Sequence, residues 1–122
     1  MKLRRNKTLG FLGEELASKY LRSHGLTIVE RNFHKRYSEI DIVAIDGQTL
    51  VFVEVKTRIG NKFGTPEESI TPWKMQNLVR SANFYKLLHP KSPESLRIDM
   101  VSVVLLTPER IDKITWYKNI TL

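Results

Sequence analysis

One stretch decides the predicted fold of this chain: Val51-Phe52-Val53-Glu54-Val55-Lys56-Thr57-Arg58. Successive side chains of a strand point to opposite faces, so Glu54 and Lys56 share one face and the three valines line the other. Burying an unneutralised charge is costly, so charged residues inside an apolar strand need a partner, a metal ion or a substrate. The stretch therefore predicts a strand with one apolar face and one chemically active face.

A second apolar run precedes it, Ile40-Asp41-Ile42-Val43-Ala44-Ile45, and it also contains an acid. Asp46-Gly47 lies between the two runs and favours a hairpin. Neighbouring strands would then bring Asp41, Glu54 and Lys56 together, as metal-dependent phosphodiester cleavage requires. Asp41 and Glu54 are the predicted ligands of Mg²⁺ or Mn²⁺, with the backbone carbonyl of Val55 as a third, because hard cations prefer oxygen ligands.

Lys56 is the predicted partner of the attacking water or of the phosphate. Its ammonium would orient or deprotonate the water, or stabilise negative charge on the phosphate. The alternative is a cross-strand ion pair between Asp41 and Lys56 that only allows both groups to be half buried.

The composition predicts a globular protein with one domain spanning residues 1–122. Its formal net charge is +7, from 20 Lys and Arg against 13 Asp and Glu, which favours a polyanion such as DNA as the partner. No apolar run approaches the roughly 18 residues that span a bilayer, and no signal-peptide stretch follows the basic N-terminus. The lack of cysteine excludes disulfides and thiolate metal sites. We therefore expect a cytoplasmic protein without membrane contact.

Apolar periodicity predicts two helices. The first runs from Leu9 to about Ser23, with Thr8 as its N-cap and Gly25 as its C-terminal stop. The second begins near Thr71, has a proline in its first turn, and ends near residue 89. Strands are predicted at residues 27–31, 39–46, 48–58, 96–106 and 114–120, with loops at 34–37 and 59–66. This order predicts a mixed sheet covered by helices.

The first predicted helix offers a third carboxylate, because Glu14 and Glu15 are adjacent there. Neighbouring residues on a helix point about 100° apart, so at most one of the two faces the site. The alternative for either residue is an ordinary solvated charge on the helix surface.

A set of short motifs spans nearly the whole chain: Gly10, Gly13-Glu14, Ala17, Tyr20-Leu21, Arg31-Asn32-Phe33, Glu39-Ile40-Asp41, residues 51–58, Gly64-Thr65-Pro66-Glu67-Glu68, Lys74 and Arg97-Ile98-Asp99-Met100-Val101. Together they resemble the YraN-like family of small bacterial proteins. That family is in turn similar to archaeal Holliday junction resolvases of the PD-(D/E)XK nuclease superfamily. Ser38 departs from the family pattern, which has a glycine before Glu39.

The resemblance implies a restriction-endonuclease-like α/β fold, with a mixed central sheet flanked by helices. It implies that Asp41 is the metal-ligand aspartate, Glu54 the second acid and Lys56 the catalytic lysine. Glu14 matches the helix-borne acid of the resolvases, which favours it over Glu15. The implied activity is hydrolysis of branched or otherwise structured DNA with Mg²⁺ or Mn²⁺. A homodimer is also implied, because a resolvase cuts two strands symmetrically.

Two alternatives use the same fold without this activity. One is a DNA-binding module that kept the acids but cuts little or nothing. The other is a scaffold for a protein partner, whose acids hold a structural metal or simple ion pairs. Candidates for stacking on unpaired bases, or for ordinary packing, are Phe63, Trp73, Phe84 and Tyr85. A candidate basic face beside the site comprises Lys62, Lys74, Arg80 and Lys86.

Overall fold

The computed structural model describes residues 8–60 and 70–121. The elements in chain order are α1 (Leu9–Ser23), β1 (Thr27–Lys35), β2 (Ser38–Asp46), β3 (Thr49–Ile59), α2 (Pro72–Leu88), β4 (Ser95–Thr107) and β5 (Arg110–Tyr117). The strands form one sheet in the order β1-β2-β3-β4-β5, in which only the β3–β4 pair is parallel. The predicted α/β fold with a mixed sheet flanked by helices is confirmed, and it is consistent with a restriction-endonuclease-like arrangement.

The helix boundaries follow from their capping residues. Thr8 accepts a hydrogen bond from the backbone N–H of Phe11 at 3.1 Å, and Thr71 accepts one from Lys74 at 3.1 Å. Each bond satisfies a donor that the first turn of a helix leaves without an intrahelical partner. Beyond α1, Gly25 has a φ of +95°, a conformation that most other residues adopt only with strain.

The predicted hairpin joins β2 to β3. Asp46 pairs with Thr49 across the turn, and Gly47 has the positive φ, +63°, that such turns require. From β3 the chain returns through α2 to β4, which lies parallel to β3 over its length. A parallel pair needs such a crossover, and a helix usually supplies it.

Each face of the sheet packs against one helix. Val51 and Val53 of β3 pack on the α1 side, together with Ala17 and Leu21. Leu50 and Phe52 alternate with them and face α2, where they join Leu78, Ala82 and Tyr85. The period-two pattern of β3 therefore places the even-numbered residues Glu54 and Lys56 on the α2 side.

Some predicted boundaries are wrong. His34 and Lys35 belong to β1 rather than to a loop, because they continue the ladder opposite Glu39 and Ser38. The turn is confined to residues 36 and 37. The last strand begins at Arg110, four residues before the predicted start, because β4 continues to Thr107 and turns tightly back. Most of the predicted 59–66 loop, with Lys62 and Phe63, lies outside the described residues.

Neither of the two described helices is long and apolar enough to cross a membrane.

Candidate active site

The β2–β3 ladder ends where the predicted site begins. Its last backbone pair joins Ile42 to Val53. Beyond that pair, Asp41 Oδ2 accepts a hydrogen bond from the backbone N–H of Val55 at 2.8 Å. Because the N–H and C=O of one residue in a strand point to the same side, the Val55 carbonyl faces the same edge as Asp41.

Glu54 is the buried acid of this region, with 4% of its surface exposed. Its Oε2 lies 3.6 Å from Lys56 Nζ on the same strand and 3.4 Å from Lys74 Nζ on α2. Two ammonium groups therefore flank one carboxylate. This compensates the charge that β3 buries.

Asp41 carries an unusual protonation equilibrium. Burial raises the pKa of its carboxyl to about 8, and the negative charge of Glu54 adds to the rise. The hydrogen bond from Val55 opposes this by stabilising the charged form. Lys56 forms its ion pair with Glu54. Asp41 and Lys56, both among the described residues, are not within ion-pairing distance of each other, so the alternative Asp41–Lys56 pair does not form.

Glu14 lies on α1 and interacts electrostatically with Asp41. Its charge contributes to the raised pKa of Asp41. Burial, and then Glu39, raise the pKa of Glu14 itself, while Arg31 and Asn32 lower it. Arg31 contacts both candidate acids of α1, at 3.7 Å from Glu14 and 2.9 Å from Glu15.

The two adjacent glutamates differ in exposure. The side chain of Glu14 is 14% exposed and that of Glu15 is 42% exposed. Glu14 is the one whose charge affects Asp41.

A close approach between α1 and β3 determines where Glu14 lies. Gly13 is buried, and a Cβ on it would sit 1.7 Å from Thr57 Oγ1. Only glycine permits this spacing. Since Glu14 follows Gly13 directly, the same contact sets the distance between the backbone of Glu14 and the sheet.

The contacts that Lys74 and Asn32 make with the acids of the site were not predicted. Lys74 was assigned to the family motifs and to a basic face, but not as a partner of Glu54, which its ammonium contacts. Asn32 lies in β1 with a φ of +55°, which asparagine tolerates better than most residues. The orientation of its amide that satisfies both ends places its nitrogen 2.9 Å from Glu14 Oε1 and 2.9 Å from Glu39 Oε2. The motif Arg31-Asn32-Phe33 was visible in the sequence, but these long-range partners were not.

The structure is a mixed α/β protein in which two interacting acids and a lysine lie where the β2–β3 ladder ends. The sequence profile of the uncharacterised protein family UPF0102 matches residues 13–103. The chain therefore belongs to this family, which confirms the resemblance to the YraN-like proteins.

Individual relatives cover most of both chains. A UPF0102 protein of Syntrophomonas wolfei is 47% identical over 100 residues, which is 82% of this chain and 87% of the relative. One of Nocardia farcinica is 47% identical over 102 residues, or 84% and 80% of the two chains. One of Geobacter sulfurreducens is 41% identical over 112 residues, or 90% and 88%.

Proposed function

We propose that this protein is a metal-dependent endonuclease that hydrolyses phosphodiester bonds in branched or otherwise structured DNA. The observation that carries the proposal is the juxtaposition of Asp41 and Glu54 beside Lys56. Burial and then the charge of Glu54 raise the pKa of Asp41, so the two acids repel each other at the end of the β2–β3 ladder when both are ionised. A divalent cation bound between them would relieve that repulsion.

The donor set fits Mg²⁺ or Mn²⁺. No three His, Asp or Glu side chains within residues 8–60 and 70–121 are arranged to enclose a metal ion. The candidate donors are the carboxylates of Asp41 and Glu54 and the carbonyl of Val55. Mg²⁺ commonly keeps several waters and binds through one or two carboxylates together with substrate phosphates. A sparse oxygen site of this kind therefore suits it better than a site closed by protein ligands.

The residues of the chain divide the chemistry between them. A bound divalent cation would activate water and neutralise phosphate charge. Lys56, with its ammonium on the α2 side of β3, would orient the attacking water or stabilise negative charge on the phosphate. Lys74 balances the charge of Glu54 when no cation is present. Glu14 adds negative charge beside Asp41 and strengthens the attraction for a cation.

Charge supports DNA as the substrate. The net charge of the chain is +7 although three acids are assigned to the site. The surface outside these three acids is therefore more positive than the total charge indicates, which suits contacts with phosphates. A two-fold homodimer is proposed with this activity, because symmetric cleavage of a branched substrate needs two sites.

A cleavage assay on labelled DNA tests the proposal. Four-way junction, flap, single-stranded and duplex substrates would each be incubated with Mg²⁺, Mn²⁺ or EDTA. Glu54→Gln would be purified in parallel to exclude a contaminating nuclease, and Glu109→Gln, an exposed acid beyond β4, is the matched control. We expect cleavage by the wild type and by Glu109→Gln, and none by Glu54→Gln or in EDTA.

One observation favours a second candidate, a DNA-binding module without cleavage. Glu54 is already flanked by two ammonium groups, so its charge is compensated without a metal ion. This candidate predicts that the protein binds the same substrates in EDTA and yields no product with either metal. That outcome would contradict the proposed endonuclease.

A further inference from the structure

Three residues of α2 form a row along one flank of the helix: Trp73, Arg80 and Phe84. They are spaced by 7 and 4 residues, so they lie within about 40° of one another around the helix axis and span about 16 Å along it. Trp73 is 72% exposed, and an indole is rarely left so open to water. Arg80 is exposed as well, and it forms no ion pair with any residue that the structure describes.

The β1–β2 turn extends this row at its far end. The guanidinium of Arg36 lies 5.2 Å from the centroid of the Phe84 ring. The Tyr37 ring meets the same phenylalanine edge-on, with centroids 6.3 Å apart and planes at 86°. Tyr37 is itself 44% exposed. We call the five residues Trp73, Arg80, Phe84, Arg36 and Tyr37 the aromatic track.

The aromatic track begins beside the candidate active site. Trp73 directly precedes Lys74, whose ammonium lies 3.4 Å from Glu54. Trp73 therefore lies at the end of α2 from which Lys74 extends to that acid. Pro72 in the first turn and the Thr71 cap define where this part of α2 begins. Nucleotides that flank a phosphate at the site could therefore reach the indole.

We propose that the aromatic track binds an unpaired DNA strand next to the phosphate to be cut. Aromatic rings alternating with cations are typical of single-strand binding, in which bases stack on the rings and phosphates meet the cations. Bases within a duplex are already stacked, so they offer no free face to Trp73. Charge complementarity supports this partner, because the track contains two arginines and no acid and the chain carries a net charge of +7. The inference rests on the proposed function and specifies its substrate as DNA with a single-stranded arm.

Tryptophan fluorescence tests the proposal without any cleavage. Wild type, Trp73→Phe and Trp73→Ala would be titrated in EDTA with oligothymidylate of about 12 nucleotides and with duplex of equal length. The fluorescence of Trp116, the other tryptophan, should not change when DNA is added, since its Nε1 donates a hydrogen bond to the buried Asp99. Leu87→Ala is the matched control, because Leu87 is 77% exposed at the other end of the same helix.

We expect the single strand to quench wild-type fluorescence and to leave that of Trp73→Phe nearly unchanged. In anisotropy titrations with fluorescein-labelled DNA, Trp73→Ala should bind oligothymidylate about 5- to 160-fold more weakly, as for the loss of one base stack, and duplex within about twofold of wild type. Leu87→Ala should match wild type. Arg80→Gln should lower the slope of log affinity against log salt by about 0.7 for the single strand.

Equal binding of oligothymidylate by wild type and Trp73→Ala would overturn the proposal, as would equal losses for single strand and duplex. Failure of the proposed function is distinguishable from this result. If Trp73 is quenched as expected but no metal supports cleavage, the aromatic track stands and the endonuclease does not. If cleavage is observed but Trp73→Ala cuts single-strand-containing and fully paired DNA in wild-type proportions, the aromatic track is wrong and the endonuclease stands.

Discussion

Asp41 Oδ2 lies 2.8 Å from the backbone nitrogen of Val55 and accepts its hydrogen bond just past the last backbone pair of β2 and β3. A side chain thus replaces the carbonyl that would have continued the ladder. This hydrogen bond holds the Asp41 carboxyl between the two strands, close to Glu54. The end of the ladder and the candidate site are therefore one structural feature.

This arrangement makes folding depend on the proton of Asp41. The pKa of its carboxyl is raised from 3.8 to about 8, so between these values the folded chain holds a proton that the unfolded chain releases. The contribution of Asp41 to stability is therefore complete below about pH 4 and is lost as the pH rises through 8. An asparagine at this position could still accept the Val55 hydrogen bond without acquiring a charge. We expect Asp41→Asn to be more stable than wild type by about 1–3 kcal/mol at pH 8.5 in EDTA, measured by urea unfolding.

The difference between Asp41→Asn and wild type should nearly vanish at pH 4, which serves as the internal control. A constant difference across this range would show that Asp41 has an ordinary pKa and would contradict its electrostatic coupling to Glu54.

The two lysines beside Glu54 should differ in function. Lys56→Met should lower the single-turnover cleavage rate by about 10²- to 10⁴-fold, with DNA affinity within about threefold of wild type. Lys74→Met removes the ammonium that competes with a cation for Glu54, so we expect it to tighten Mn²⁺ binding by about 3- to 10-fold. Rates from labelled DNA and Mn²⁺ titrations check both. The assignment of roles fails if the two variants lose cleavage to the same degree.

Gly13 should be the glycine of α1 that tolerates no side chain. Gly13→Ala would place its Cβ 1.7 Å from Thr57 Oγ1 and 2.7 Å from Thr57 Cβ, so α1 must move away from β3. We expect a loss of about 1–3 kcal/mol in the free energy of unfolding, as for other overpacked sites. The matched control is Gly10→Ala, whose Cβ would meet only Thr8 Oγ1 at 3.7 Å. It should be neutral or slightly stabilising, and equal losses in the two variants would refute the close approach.

Asp99 should be a structural acid rather than part of the site. It is fully buried, and it accepts hydrogen bonds from Arg97, Trp116 Nε1 and the backbone N–H of Asn119. Asp99→Asn would leave the Arg97 guanidinium with Asp46 as its one remaining carboxylate partner among the described residues. We expect the free energy of unfolding, measured by heat or urea, to fall by about 3–5 kcal/mol. Asp112→Asn, at an exposed position of β5, should leave that free energy almost unchanged. A loss below about 1 kcal/mol would contradict this role.

The sequence predicted most elements of the fold because their patterns are local. Periodicity and caps located α1 from Leu9 to Ser23 and α2 from its proline onward, and Asp46-Gly47 marked the hairpin. Alternation along β3 was enough to place Glu54 and Lys56 on one face. The end of β1 was missed because His34 and Lys35 are polar residues on an exposed edge strand, where pairing is set by β2 rather than by burial.

The remaining contacts of the site depend on distances that no local pattern encodes. Lys74 meets Glu54 only because α2 crosses back over β3, 20 residues later in the chain. Asn32 bridges Glu14 and Glu39 through a left-handed backbone conformation in β1. The sequence showed all these residues, but it could not show which acid each one contacts.

Mn²⁺ binding in the absence of DNA tests the central claim most directly. The wild type would be titrated at pH 8.5, above the pKa of Asp41, and free Mn²⁺ followed by electron paramagnetic resonance, with Glu109→Gln as the control. We expect saturable binding in both proteins, and loss of that binding in Asp41→Asn and in Glu54→Gln. Saturable Mn²⁺ binding that persists in both of these variants, or its absence in the wild type, would contradict a divalent-cation site at Asp41 and Glu54.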